Sequence, residues 1–186
     1  MKKILFLCCF LAYICANAQF TLTSEGWATE EGKSFYVVEI PGSKQELFDK
    51  AKTCLTLLYN SPKDVLSFSA PDVVSISGFT DAPYFKQMGV KYPIETFYTM
   101  TIRFKEGRIR FDAPNINNLE VYNKSKRFPI YLGKGGGMGI SDMGYIFKKD
   151  GKVRYKDAQR TIEEYFNNLV NTIASKIQTP VVEEGW

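Results

Sequence analysis

Four cations alternate along two short neighbouring runs: Arg103 and Lys105 precede Glu106-Gly107, and Arg108 and Arg110 follow it. A two-residue turn at Glu106-Gly107 pairs Lys105 with Arg108 and Arg103 with Arg110. Strand alternation then sends all four to one face, opposite Ile102, Phe104, Ile109 and Phe111. Like charges directly opposed weaken a strand pair by a few tenths of a kcal/mol to about 1 kcal/mol, so stability alone does not select this pattern. Guanidinium and ammonium groups gathered on one surface suit phosphate, sulfate, an acidic glycan or a partner's carboxylates. The competing reading is a solvated outer face whose charges guard an edge against aggregation. Both readings stand at this level.

Other chemistry-bearing residues carry less. Between Tyr122 and Arg160 there are ten Lys or Arg against Asp142, Asp150 and Asp157, and Lys149, Lys152 and Arg154 are candidates to share a hairpin face. Such a surface steers anions, but no nucleic-acid-binding motif accompanies it, and nucleic acid is not expected as a partner. Gly133-Lys134-Gly135-Gly136-Gly137-Met138-Gly139 matches neither the phosphate-loop pattern nor the dinucleotide fingerprint; it reads as a loop whose role is open. Glu163 and Glu164 are adjacent on a helix and point apart, and no carboxylate falls in apolar surroundings that would raise its pKa for acid catalysis. Cys54 lies on an apolar helix stripe and reads as a small core residue. The chain has no histidine. That removes Ser-His-Asp and Cys-His triads, histidine-ligated zinc and imidazole acid-base pairs. No catalytic residue, metal site or cofactor is expected.

The N-terminus has the grammar of an export signal: Lys2-Lys3, an apolar run from Ile4 to Ile14, then Ala16-Asn17-Ala18 before Gln19. Eleven apolar residues are too few to span a bilayer core, which needs roughly 20 in a helix. Tyr13 and Ile14 before Cys15 favour a soluble export over a lipid anchor. Cleavage after Ala18 removes Cys8, Cys9 and Cys15, leaves Cys54 without a disulfide partner and lowers the net charge from +4 to +2. The expected location is the periplasm or the cell exterior, with no transmembrane segment in the mature chain. About 168 residues remain, enough for one domain with a sizeable core.

The elements that must position these residues follow from periodicity. Residues 19–32 read as a polar lead-in. Phe35 to Ile40 is a strand ended by Pro41-Gly42. Ser43 and Glu46 make a capping box, followed by Leu47, Phe48, Ala51, Cys54, Leu55 and Leu58 on one helix stripe. Val65 to Ala70 and Val73 to Phe79 are strands, Thr80 to Pro93 a loop, and Thr96 to Lys105 with Arg108 to Asp112 the clearest hairpin. Pro114 to Gly144 loses its pattern. A second hairpin is expected over Tyr145 to Tyr155, turning on Asp150-Gly151. Asp157 caps a last helix whose stripe runs from Ile162 to Ile177 and stops at Thr179-Pro180. The boundaries are therefore a signal peptide over 1–18, one α+β domain over 33–178 with an irregular insertion at 114–155, and a tail over 179–186.

The stretch from Phe35 to Asp112, with Phe35-Tyr36-Val37-Val38-Glu39-Ile40, the Ser-capped helix and the strand-turn-strand Phe97 to Phe111, closed by the helix Asp157 to Gln178, resembles an exported bacterial family, domain of unknown function 4468. The resemblance implies a two-layer TBP-like fold of β-α-β-β-β-β-α order, an antiparallel sheet with two helices on one face. It brings no catalytic residue and no ligand, and fold alone gives no function. The leading expectation is a non-enzymatic binding or interaction module using Arg103, Lys105, Arg108 and Arg110 toward an acidic glycan, a lipid headgroup or an envelope protein. The alternative is a lipid or other apolar small molecule between sheet and last helix, held by Tyr98, Met100 and Phe166. A carboxylate-based hydrolase ranks below both.

Overall fold

The computed structural model describes residues 20–123, 126–135 and 144–179; the expected signal peptide, most of the Gly-rich run and most of the tail lie outside them. The element order is β1 (Thr21–Thr23), β2 (Gly26–Ala28), β3 (Phe35–Glu39), α1 (Lys44–Leu58), α2 (Pro62–Val65), β4 (Leu66–Ser69), β5 (Val73–Thr80), β6 (Tyr84–Gln87), β7 (Val90–Lys105), β8 (Arg108–Asp112), β9 (Asn115–Asn123), β10 (Lys126–Pro129), β11 (Tyr131–Lys134), β12 (Tyr145–Phe147) and α3 (Lys156–Gln178). The fold is α+β.

The sixteen-residue β7 organises an eight-stranded antiparallel sheet. It pairs with β5 along one edge; along the other it pairs with β9 through its first half and with β8 through its second. Beyond these lie β4 next to β5, β10 next to β9 and β3 next to β8. Ile94, Thr96, Tyr98, Met100, Ile102 and Phe104 point from β7 to the inner face and are all buried, as a period of two demands.

Helix α1 begins at the expected capping box: Ser43 accepts from the Glu46 N–H, and the Glu46 carboxylate accepts from the Ser43 N–H. Its Leu47, Phe48, Ala51 and Leu55 join Ile162, Phe166, Val170, Ile173 and Ile177 of α3 in one core against the inner face. Tyr98 crosses the strand pair to lie over Gly78, its Cα partner on β5. The Tyr98 ring meets Phe166 edge-on with centroids 4.9 Å apart and Tyr165 at 6.0 Å. Its hydroxyl reaches those of Tyr165 (3.2 Å) and Tyr59 (3.5 Å). Burial raises the pKa of both the Tyr98 and Tyr59 phenols.

Several sequence expectations are corrected. The polar lead-in is a β1–β2 hairpin with Phe20 and Leu22 fully buried. Its backbone is held by a polar stripe at four-residue steps on α3: Gln159 Nε2 donates to Leu22 O, Glu163 Oε1 accepts from Leu22 N–H, and Asn167 both accepts from Phe20 N–H and donates to Phe20 O. The loop expected over Thr80 to Pro93 is a hairpin, β6 with the start of β7, turning on Met88 (φ 50°) and Gly89 (φ 80°). The patternless stretch after Pro114 contains β9, whose Leu119 and Val121 are buried. The Tyr145 to Tyr155 hairpin forms in short form: Lys148 N–H donates to Lys152 O and Arg154 N–H to Ile146 O around a turn containing Gly151, with one ladder bridge, Phe147 to Val153, while β12 also pairs in parallel with β11. Tyr155, not Asp157, stands at the cap of α3, and Asp157 falls in its first turn.

Candidate functional site

The β7–β8 hairpin forms in the expected register, with Lys105 opposite Arg108 and Arg103 opposite Arg110. Ile102, Phe104, Ile109 and Phe111 are at most 2% exposed. Arg103, Lys105 and Arg108 are exposed and Arg110 is half-buried, so the hairpin splits into an apolar and a cationic side. The structure brings the four cations together around a shallow hollow of about 220 Å³, with Val37 of β3 and Phe104 completing its lining.

Asp112 is the site residue that the sequence reading missed. One carboxylate oxygen accepts from Arg103 Nε at 2.9 Å, the other from Arg110 Nε at 2.6 Å. Alternation could have found it, since Asp112 lies two residues beyond Arg110 on the same face. Arg110 also stacks on Phe35, 4.0 Å from the ring centroid, a favourable cation–π placement. Together these contacts explain why opposed arginines are tolerated: a shared carboxylate lies between them. Each guanidinium commits only its Nε to Asp112, so four of its five N–H donors are not used there. Among the described residues, Lys105 and Arg108 have no ion-pair partner within 4 Å, although Glu39 of β3 stands opposite Arg108 in the strand register.

Next to the hollow, the outer face carries small polar side chains. Ser75 faces Thr101 and Ser77 faces Thr99, and Asn117 donates to Thr99 Oγ1. Phe79 (52% exposed) and Phe97 (42% exposed) pack on each other further along, with centroids 4.8 Å apart.

The broader basic bias resolves differently. Arg127 pairs with Glu95 and Glu120, Lys134 with Glu25, Lys152 with Asp150, and Arg160 with Asp157 and Glu164. Lys149 is exposed, whereas Arg154 is half-buried with its Nε lacking a hydrogen-bond partner among the described residues, so Lys149, Lys152 and Arg154 do not make one free cationic face.

Nucleophile and acid candidates take structural places. Cys54 is buried, which pushes its thiol pKa up and away from thiolate chemistry. Glu163 departs from expectation: desolvation raises its pKa, opposed by the hydrogen bond from Leu22 N–H and one with Gln159, with Glu164 adding a smaller upward push. A raised native pKa means that the folded state holds the proton in a window just above the ordinary carboxylate value, so stability falls as pH rises through that window. Glu163→Gln keeps an acceptor for Leu22 N–H and removes the charge. The variant is expected to unfold at or above the wild-type temperature at neutral pH and to show a flatter Tm–pH curve. Thermal scans across pH measure this. Among the described residues, no three or more His, Cys, Asp or Glu converge as a metal site. Tyr98, Met100 and Phe166 are at most 1% exposed, and the rings of Tyr98 and Phe166 meet each other, so these side chains fill the layer between sheet and α3.

No protein-family model and no curated protein matches the chain. Two solved structures decide the fold. A TBP-like protein from Parabacteroides distasonis aligns over 78% of this chain and 91% of its own, with TM-score 0.53 and 18% identity. A domain of unknown function 4468 family protein from Bacteroides ovatus aligns over 80% and 87%, with TM-score 0.53 and 12% identity. The fold is TBP-like. Both neighbours match the resemblance read from the sequence, and both are bacterial; at these identities the likeness concerns architecture. No helix among the described residues is long and apolar enough to cross a membrane.

Proposed function

We propose that the protein is an exported, non-enzymatic binding module whose outer sheet face takes an anionic ligand at the hollow framed by Arg103, Lys105, Arg108 and Arg110. The observation that carries this reading is the hollow itself: four cationic side chains converge on it, and Asp112 fixes two while Lys105 and Arg108 stand without an ion-pair partner among the described residues. Guanidinium groups fixed in place lose less freedom on binding an oxyanion than floppy ones, and the free ammonium and guanidinium supply charge that a sulfate or carboxylate group neutralises. A site this open takes a group displayed on something larger, such as an acidic glycan. The small polar residues beside it leave a flat approach.

The test is retention on a sulfated dextran matrix. The double variant Lys105→Glu/Arg108→Glu alters two exposed positions and leaves the apolar side intact. It is expected to stay folded with its Tm lowered by no more than a few degrees, because the new charge at position 108 opposes Glu39, to elute at much lower salt and to bind sulfated oligosaccharide at least tenfold more weakly, equivalent to about 1.4 kcal/mol. Lys149→Glu/Lys152→Glu is the control and is expected to elute close to wild type. Equal loss in both variants would reduce the binding to net charge and defeat the proposal.

A further inference from the structure

The large sheet ends at four strands, β10, β6, β4 and β3, of which β6 is four residues long and carries Lys86. Sheet edges invite pairing unless charge, proline or shortness blunts them. Edge β10 reads Lys126-Arg127-Phe128-Pro129 and carries both devices. Edge β4 has four residues, alternates Ser67 and Ser69 with apolar neighbours and is closed by Pro71. Edge β3 reads Phe35-Tyr36-Val37-Val38-Glu39, a run of strong strand formers without proline or lysine. Among the described residues β8 is its one strand partner. Ser34 O accepts from Ala113 N–H, and Ile40 N–H donates to Gly107 O, so the even-numbered residues turn their backbone groups toward β8. Antiparallel alternation then turns those of Phe35, Val37 and Glu39 to the open edge.

We propose that β3 pairs antiparallel with β3 of a second copy of this chain, about a two-fold axis at Tyr36, as an interface between copies. This register sets Phe35 opposite Val37 of the partner subunit in the ladder and aligns the Lys33 side chain with Glu39 of the partner subunit, each contact occurring twice by symmetry. The Lys33 backbone is closed by Thr29, whose N–H donates to Lys33 O and whose hydroxyl accepts from Lys33 N–H, so the ladder ends at Phe35. Charge selects it. Sliding two residues one way sets Glu31 against the partner's Glu39; sliding the other way sets Phe35 against the partner's Glu39 and leaves Lys33 without an acid. Lys33 already lies over the outer face, 5.8 Å from the Phe35 ring centroid and paired with Glu31 of its own chain. Val37 is 37% exposed in the single chain, apolar surface that pairing would cover. The joined sheets would run β7–β8–β3 and back through the partner, placing the two cationic hollows on one face with their β8 strands roughly 14 Å apart, three strand spacings. The pairing itself does not depend on what the hollows bind.

Sedimentation equilibrium of the purified protein, raised to submillimolar concentration, tests this in the absence of any anion. The wild type is expected to dimerise, Lys33→Glu to weaken the dimer at least tenfold, and an equimolar mixture of Lys33→Glu with Glu39→Lys to recover it as a heterodimer. Should Glu39→Lys disturb the fold through its neighbour Arg108, Val37→Asp gives the second reading, with the dimer lost and the monomer's Tm retained. A wild type that stays monomeric, a dimer indifferent to Lys33→Glu and Val37→Asp, or a mixture of folded variants that does not recover would each overturn the proposal.

Discussion

Replacing Gly78 with alanine is expected to lower stability by about 3 kcal/mol, the upper end for overpacking a filled interior, and Tm by roughly 6–12 °C for a domain of this size. A Cβ built on Gly78 would stand 2.4 Å from Tyr98 Cζ and 2.5 Å from its hydroxyl oxygen. The ring cannot swing clear cheaply. Phe166 meets it edge-on, and its hydroxyl is held between those of Tyr59 and Tyr165. Backbone freedom is not at issue, since Gly78 does not have positive φ; the constraint is the space above its Cα. The mechanism has a specific signature. In the Gly78→Ala/Tyr98→Leu double variant the alanine no longer meets a ring, so the two losses should fall well short of additive. Thermal and urea unfolding of the four proteins measures this, and additive losses would refute the contact as the cause.

The second large effect is at Phe166, whose truncation to alanine should destabilise the fold by about 3–5 kcal/mol. Its ring is fully buried and meets Trp27 at 5.6 Å, Tyr98 at 4.9 Å and Tyr165 at 5.1 Å between centroids. It therefore joins the N-terminal hairpin, the sheet and α3 in one cluster. Losing the ring opens space among apolar walls beside two phenol hydroxyls, and the β1–β2 hairpin loses the surface on which Trp27 packs. Amide exchange at Phe20 and Leu22 should accelerate along with global unfolding. A loss below about 1 kcal/mol, within the range of a tolerated core swap, would show that this layer can repack and is looser than the ring contacts indicate.

What the sequence disclosed and what it withheld have physical reasons. The β7–β8 hairpin was legible to the residue because strict alternation on both sides of Glu106-Gly107 leaves one register that buries Ile102, Phe104, Ile109 and Phe111 together. Helix α1 was legible through its local cap. The start of β7 was hidden by Pro93, a residue foreign to strand interiors, and by a turn whose first left-handed position is Met88 instead of glycine or asparagine. Strand β9 was hidden by Asn115, Asn117 and Asn118, poor strand formers, and by a register shift between its partners Phe97 and Tyr98. The N-terminal hairpin was missed because what holds its backbone is remote: Gln159, Glu163 and Asn167 are more than 130 positions away. Of the site, the four cations were visible from parity alone. The carboxylate that orders two of them was equally visible by parity, yet Asp112 closes the strand and reads as a terminus before it reads as a partner.

The outer face of the β7–β8 hairpin as an anion site is the claim on which the functional account stands. Titrating isotope-labelled protein with a sulfated oligosaccharide by NMR tests it most directly. The account predicts saturable shifts concentrated at the amides and guanidinium groups of Arg103, Lys105, Arg108 and Arg110, extending to Val37 and fading with added salt. Shifts concentrated instead around Lys148 to Arg154, or no saturable shift at all, would contradict it.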